Sequence, residues 1–286
     1  MIRCERRKVL LWTCSHLKRK QTGRRMQTWR LDIEYEGTRY AGWQKQPQQR
    51  TVQGELLKAA ETFLQTKVEI GGSGRTDAGV HALQQVAHLK LKTPLKATFA
   101  RQLQRGINDL LPHDINILKT EIAPARFHAR HDAIARYYLY QISRRRTAFG
   151  KSFVWWVRDR LDVTAMTAAC QLLVGRHDFR SFCESLEAQS NTLVHVTEAQ
   201  VLAQDKFILF RIGASHFLWK MVRRITGALV EVGRGKLTVE GFGELLENYS
   251  NAPAAWTAPP SGLFLERVLY AGDSAPTTLS PAFHRM

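Results

Sequence analysis

Residues 71–82, GGSGRTDAGVHA, join two segments that both carry the period of a β-strand, KVEIG before and LQQVAHLKLK after. This strand–loop–strand arrangement constrains the chain more than any other feature, because it removes most uses of a glycine-rich loop. A P-loop requires G-x-x-x-x-G-K-[ST] running straight into a helix. Here Arg75 follows Gly74, and a strand pattern follows Val80. A dinucleotide fingerprint fails for want of a strand–GxGxxG–helix context. A zinc deaminase needs H-x-E with P-C-x-x-C downstream, which His81 lacks. A serine hydrolase would need Ser73 at a strand-to-helix elbow. What remains is a carboxylate, Asp77, beside Arg75 and Thr76. Taken alone, it reads as an Asp that shapes a turn through its side chain.

The rest of the chain alternates strand-like and helix-like segments. TWRLDIEYEG places Leu31, Ile33 and Tyr35 on one face of a strand. Thr51 is a candidate cap for a helix with Val52, Leu56, Ala60 and Phe63 on one side and Glu55 near its positive end. On the strand after the glycine loop, Leu83, Ala87, Leu89 and Leu91 share a face. Phe99, Leu103, Ile107 and Leu110 recur at helical spacing up to Pro112, and INILKTEI follows as a strand. The second half continues with ARYYLYQIS as a strand and a helix capped by Asp162, with Val163, Met166, Cys170 and Leu173 inward and Gly175 closing it. LVHVTEAQVLAQ and KFILFRIG read as paired strands. FLWKMVRRITGALVEVG predicts a long amphipathic helix with Phe217, Met221, Ile225, Ala228 and Val232 on its buried stripe. A short helix over about 238–248 and a closing strand, GLFLERVLY, complete the pattern. Without a strict βαβ rhythm, the chain is α+β, with helices packed on a largely antiparallel sheet and a joint between about 125 and 150.

The formal charge of +17 predicts attraction to a polyanion, most simply nucleic acid. Residues 1–25 hold nine Lys or Arg against one Glu, and the remainder is still basic. This first segment reads as a disordered basic arm, or as sequence upstream of a start at Met26, separate from the folded part. No stretch approaches the ~18 apolar residues of a membrane span. The four cysteines, Cys4, Cys14, Cys170 and Cys183, form no CxxC pair, which argues against a zinc site or disulfide framework and for a reducing cytoplasmic setting.

GRTDAGVHA resembles the signature of the TruA family of tRNA pseudouridine synthases. DIEYEGTRYAGWQKQP with TVQGELLKA, FHARHDAIARYYLY, FLWKMVRRITGALVEVG and APPSGLFLERV are similar to that family's other motifs and stand in the family's order, from about residue 28 to 270. The resemblance implies a pseudouridine synthase fold of two ferredoxin-like halves sharing a central sheet: 26–130, which carries the catalytic loop, and 131–286, with the active-site cleft between them. It implies isomerisation of uridine to pseudouridine at positions 38, 39 and 40 of the tRNA anticodon stem-loop, by a homodimer that needs no metal, nucleotide or organic cofactor.

Residue by residue, the resemblance puts the catalytic carboxylate on Asp77. Arg75 is implied to position the flipped nucleotide, and Arg223 to pair with the carboxylate. Spacing alone sets Arg223 off the buried stripe and toward solvent. Tyr138 is the matched aromatic, able to stack on the base and take the proton from C5. Strand alternation sets it on one face with Tyr140, with Tyr137 on the other. Leu263 matches an apolar residue beneath the base. Candidate phosphate contacts are Arg39, Lys45, Arg101, Arg105, Arg126, Arg130 and the run Arg144–Arg146. Gly71, Gly72 and Gly74 are expected to let the backbone turn sharply beneath an approaching nucleotide. The first step, attack on base or ribose or a glycal-like route, stays open. A non-catalytic RNA-binding or RNA-folding protein is the alternative from another class. A metal nuclease using Asp77 lacks a second clustered carboxylate.

Overall fold

The computed structural model describes residues 26–185, 187 and 191–282. The basic arm over 1–25, with Cys4 and Cys14, lies outside the described residues. The strands form one sheet in the order β4 (Ile115–Ala123), β1 (Gln27–Tyr35), β3 (His81–Leu91), β10 (Leu263–Leu269), β5 (Ala135–Ser143), β9 (Phe207–Ala214), β8 (Leu193–Gln204), β7 (Gly175–Asp178). Short strand β2 (Glu69–Gly72) pairs with β3, and β6 (Trp155–Trp156) pairs with β5. The pairings are antiparallel except β10 with β3 and β5 with β6. The closing strand thus inserts between the first-half and second-half strands, and β5 and β9 at the sheet's centre are buried along their whole length. The α+β reading and the largely antiparallel sheet are observed.

Helices cover one face. Helix α1 (Val52–Leu64) starts where the Thr51 side chain accepts from Gly54 N at 3.2 Å. Helix α2 (Ala100–Asn108) follows a single tight turn at Ala97–Phe99. Helix α3 (Val163–Gln171) is capped by Asp162, whose carboxylate accepts from Thr164 N and Ala165 N. Helices α4 (Met221–Gly233), α5 (Val239–Glu247) and α6 (Ala252–Ala255) complete the layer. The other face is covered by the 151–153 turn and by the chain after β10. Leu139, Leu209 and Phe264 pack there against Val154 and Leu279. Arg211, fully buried, holds that covering segment by donating to the Pro276 and Thr278 carbonyls while it pairs with Glu266. Among the described residues, no helix is long and apolar enough to cross a membrane.

Several expectations are corrected. Leu83 does not share a face with Leu89 and Leu91, because the β1–β3 register shifts between Ile33–Gln85 and Tyr35–Ala82. One extra residue in β3 reverses the alternation, so Leu83 packs on the opposite face. Helix α2 ends at Asn108, leaving Leu110 exposed while Leu111 is buried. Helix α3 stops at Gln171, and Gly175, at φ 117°, opens β7 instead of closing the helix. The long helix begins at Met221, four residues later than its apolar pattern, because Lys220 adopts a left-handed φ of 60°.

Helix α4 is also not amphipathic in the ordinary sense. Every residue from Met221 to Gly233 is buried except Arg223. Its apolar stripe faces the sheet, while the other side is covered by α3 and by the segment around α6. Gly227 permits that second contact: a Cβ there would stand 1.7 Å from the Trp256 carbonyl oxygen. The start of the helix is fastened by Glu184, which accepts from Lys220 Nζ at 2.8 Å and also pairs with Arg224. We expect Gly227→Ala to force the 252–258 segment off α4 and to lower stability by about 1–3 kcal/mol. The check is the denaturant midpoint, with activity falling in parallel because Arg223 loses its seat on Ala258.

Candidate active site

The loop between β2 and β3 is held by its backbone. Ser73 O accepts from Arg136 Nη2 at 2.9 Å, Gly74 O from Gln85 Nε2 at 3.1 Å, Thr76 O from Trp43 N at 3.1 Å, and Asp77 O from Val80 N at 3.2 Å. The Thr76 hydroxyl bonds the buried Tyr35 hydroxyl at 2.8 Å, and Ser73 Oγ donates to Gln85 Oε1 at 2.6 Å. Two glycines outside the run make the clamp possible. Gly42 (φ 99°) lies where a Cβ would stand 2.5 Å from Thr76 O, and Gly79 (φ 79°) where one would meet Pro260.

Gly71 and Gly72 do not serve a sharp turn, which corrects that expectation. They lie in β2, and the space a Cβ would fill is taken by the rings of His88 and Trp43, each about 2.5 Å away. Of the three glycines in the run, Gly74 alone faces open space.

Asp77 projects from this scaffold with its carboxylate partly exposed. Arg223 reaches it from the first turn of α4: Nη1 stands 3.4 Å from Asp77 Oδ2, while Nε donates to Ala258 O at 2.7 Å. Helical spacing alone had this side chain facing water. The tertiary fold turns that direction toward Asp77, because the helix is covered on both sides. Tyr138 comes from β5. Its ring meets Phe217 edge-on, 4.9 Å between centroids. Burial pushes its phenol well above the ordinary value, and the nearby Tyr35 and the Asp77 charge push it the same way. The hydroxyl is therefore a neutral donor at rest.

Leu263 is buried in the same cluster as Tyr138 and opposes Tyr140 across the strand pair. Tyr140 donates to Pro259 O at 2.7 Å and so braces the segment that Arg223 also touches. Tyr137 lies on the opposite face, as alternation requires.

Arg75 is exposed one residue from Thr76, and its side chain makes no hydrogen bond or ion pair among the described residues. Arg39, Lys45, Arg101, Arg105, Arg126 and Arg130 are likewise exposed, on separate elements around the molecule. Among the described residues, no group of three or more His, Cys, Asp or Glu is placed to hold a metal ion.

Arg136 escaped the sequence reading. Its guanidinium is buried and donates to four backbone carbonyls, Ser73, Arg130, Ala133 and Ser215, at 2.7–3.2 Å. The signal was present, since an arginine opening the apolar strand ARYYLYQIS is costly to bury unless it has work there. It ties the Ser73–Asp77 loop to the segment before β5 and to the end of β9.

His88 fastens the same segment by accepting from Ala129 N at 3.1 Å. Burial, and secondarily the neighbouring His128, lowers His88 from 6.5 to about 4. The unfolded chain therefore binds the extra proton between those values.

These features define an α+β protein whose carboxylate-bearing loop stands beside an arginine of α4 and near a buried tyrosine of β5. A family model described as tRNA pseudouridine synthase matches residues 33–132 and 169–271. The tRNA pseudouridine synthase A of Dictyoglomus thermophilum is 38% identical over 247 residues, covering 86% of this chain and 100% of that protein. That of Citrifermentans bemidjiense is 41% identical over 248 residues, covering 86% and 98%. That of Bacteroides thetaiotaomicron is 40% identical over 252 residues, covering 87% and 92%. The chain belongs to the tRNA pseudouridine synthase family, whose members are isomerases that convert uridine in tRNA to pseudouridine.

Two outcomes are expected. Arg136→Met, which leaves four carbonyls without a donor, should lower stability by on the order of 3 kcal/mol and reduce kcat, while Arg136→Lys recovers part of both; denaturation and single-turnover rates measure this. The melting temperature should fall as pH drops from 6.5 toward 4, and the fall should be shallower in His88→Asn.

Proposed function

We propose that this chain isomerises uridine to pseudouridine at positions 38, 39 and 40 of the tRNA anticodon stem-loop, with Asp77 as the reacting carboxylate. The observation that carries this reading is the Asp77–Arg223 pair at 3.4 Å, on a loop whose backbone is fastened at four carbonyls. The reaction breaks the bond from N1 to C1′, turns the uracil, and joins C5 to C1′. It then removes a proton from C5 and leaves one on N1, so it consumes nothing and produces no charge.

The target base leaves its stack for the pocket, at a cost of roughly a few kcal/mol. Leu263 and the Tyr138 ring supply an apolar floor for it, and Arg75 holds the flipped nucleotide from the open side. Asp77 acts as an anion. Arg223 keeps it ionised and oriented, because a guanidinium stabilises a carboxylate strongly where water is excluded. Tyr138, neutral at rest, takes the C5 proton as it passes its own toward Asp77, whose charge is near enough to raise it.

Phosphate contacts from Arg39, Lys45, Arg126 and Arg130 offset the cost of flipping, and recognition by backbone and shape suits a substrate with several adjacent target positions. The active unit is a homodimer in the cytoplasm. Each subunit consists of halves 26–130 and 131–286 with the cleft between them, and binds one tRNA together with its partner.

Incubating the protein with unmodified tRNA and mapping pseudouridine tests the reading. Asp77→Ala should lower turnover by more than about 10³-fold with tRNA affinity within severalfold of wild type. Wild-type protein that binds tRNA and forms no pseudouridine would overturn the enzyme reading. Pseudouridine outside the anticodon arm would overturn the site assignment.

A further inference from the structure

The chain leaving β5 carries Arg144, Arg145, Arg146, Lys151 and Arg158 with no Asp or Glu among them, over the stretch 144–158. All five are exposed, and none pairs with a carboxylate among the described residues. Two large aromatics on the same stretch also face solvent. Phe149 is 82% exposed, more than any other large apolar residue described, and Trp156 is 41% exposed. The Arg146 guanidinium lies over the Trp156 ring at 5.9 Å. Arg146, Thr147, Ala148, Lys151, Val154 and Trp156 line an open concavity of about 780 Å³.

A solvated surface loop has no reason to expose two aromatic rings beside five uncompensated cations. Unpaired nucleotides call for that combination: a ring face on which any base stacks, and cations spaced along a backbone. An acidic peptide would use the charges and leave the rings idle. A duplex has no free base face to offer.

The stretch is also linked to the Asp77 loop through residues 259–261 and His81. His81 accepts from Gly37 N through Nδ1, which leaves Nε2 to donate to Ser152 O at 2.9 Å. Ser261 Oγ donates to Val154 O at 3.2 Å, and Trp155 meets Tyr140 edge-on. Residues 259–261 stand between this stretch and the Asp77 loop, with Pro260 against Gly79.

We propose that residues 144–158 form a second RNA subsite, separate from the Asp77 pocket, in which an unpaired nucleotide of the substrate stacks on Trp156 and Phe149 while Arg145, Arg146 and Lys151 hold its phosphates. The proposal rests on the reading of the chain as an enzyme acting on tRNA. It adds a place where RNA beside the target is gripped, and so a source of substrate preference independent of the chemistry.

The test uses the full chain with tRNA transcript, a single-stranded ten-nucleotide oligouridylate and a duplex RNA of the same length. Trp156→Leu should raise KM for tRNA about 10-fold, with kcat changed far less, and Trp156→Phe should restore most of the loss. Phe149→Ser, at a position too exposed to affect folding, should raise KM in the same direction. The oligouridylate should compete with tRNA for wild-type protein better than the duplex does, and should lose that advantage in Trp156→Leu. An unchanged KM in both Trp156→Leu and Phe149→Ser would overturn the subsite. So would equal competition by duplex, or a loss of self-association on ultracentrifugation that accounts for the whole effect. Wild-type protein that forms no pseudouridine, while its oligouridylate binding still depends on Trp156, would sink the proposed reaction and leave the subsite standing.

Discussion

Four carbonyls of one loop, those of Ser73, Gly74, Thr76 and Asp77, are each taken by a donor, three of them from outside the loop, and the site depends on that fastening. The donors come from β5, β3, the turn after β1 and the loop itself. A backbone secured from three directions cannot relax when a charged substrate approaches, so Arg75 and Asp77 project from a fixed base. Fastening of this kind preorganises the loop, so that the two side chains keep their places without reorganisation of the backbone.

The electrostatic arrangement follows from burial. Arg136, Arg211 and Arg224 are buried, and each is matched by carbonyls, a carboxylate or both, as a charge inside a protein must be. Arg223 differs because it is shared between a carbonyl on Ala258 and the Asp77 carboxylate at a longer 3.4 Å. Its other N–H groups have no partner among the described residues. Arg75, Arg101 and Arg144–Arg146 pair with no carboxylate among the described residues and are exposed, where screening couples them weakly to the fold.

Much of the architecture was legible because it rests on local rules. Thr51 and Asp162 cap their helices through the short-range bonds that their residue types favour. The alternation of ARYYLYQIS sorts Tyr138 and Tyr140 from Tyr137 as expected. Illegible features have non-local causes. The bulge that moves Leu83 to the other face is visible only against β1. The roles of Gly71 and Gly72 belong to rings 17 and 29 positions away in sequence, those of His88 and Trp43. The short strands β6 and β7 carry too few residues to show a period. Arg136 looked like one more basic residue until its four carbonyl partners were placed around it.

By itself the sequence determined the element types, the α+β class, the family, and the loop on which a carboxylate stands between two strands. These follow from periodicity, capping and residue order, which are properties of neighbours along the chain. The family resemblance pairs Arg223 with Asp77, but only the tertiary structure gives the physical reason that two residues 146 apart in sequence meet: α4 is covered on both sides, and Arg223 is its one residue that is not buried. The tertiary structure also decided that the glycines of GGSGRTD divide their work: two make room for neighbouring rings and one faces open space. Helical spacing can say that a side chain leaves the core, but what it meets there depends on which element the fold brings across.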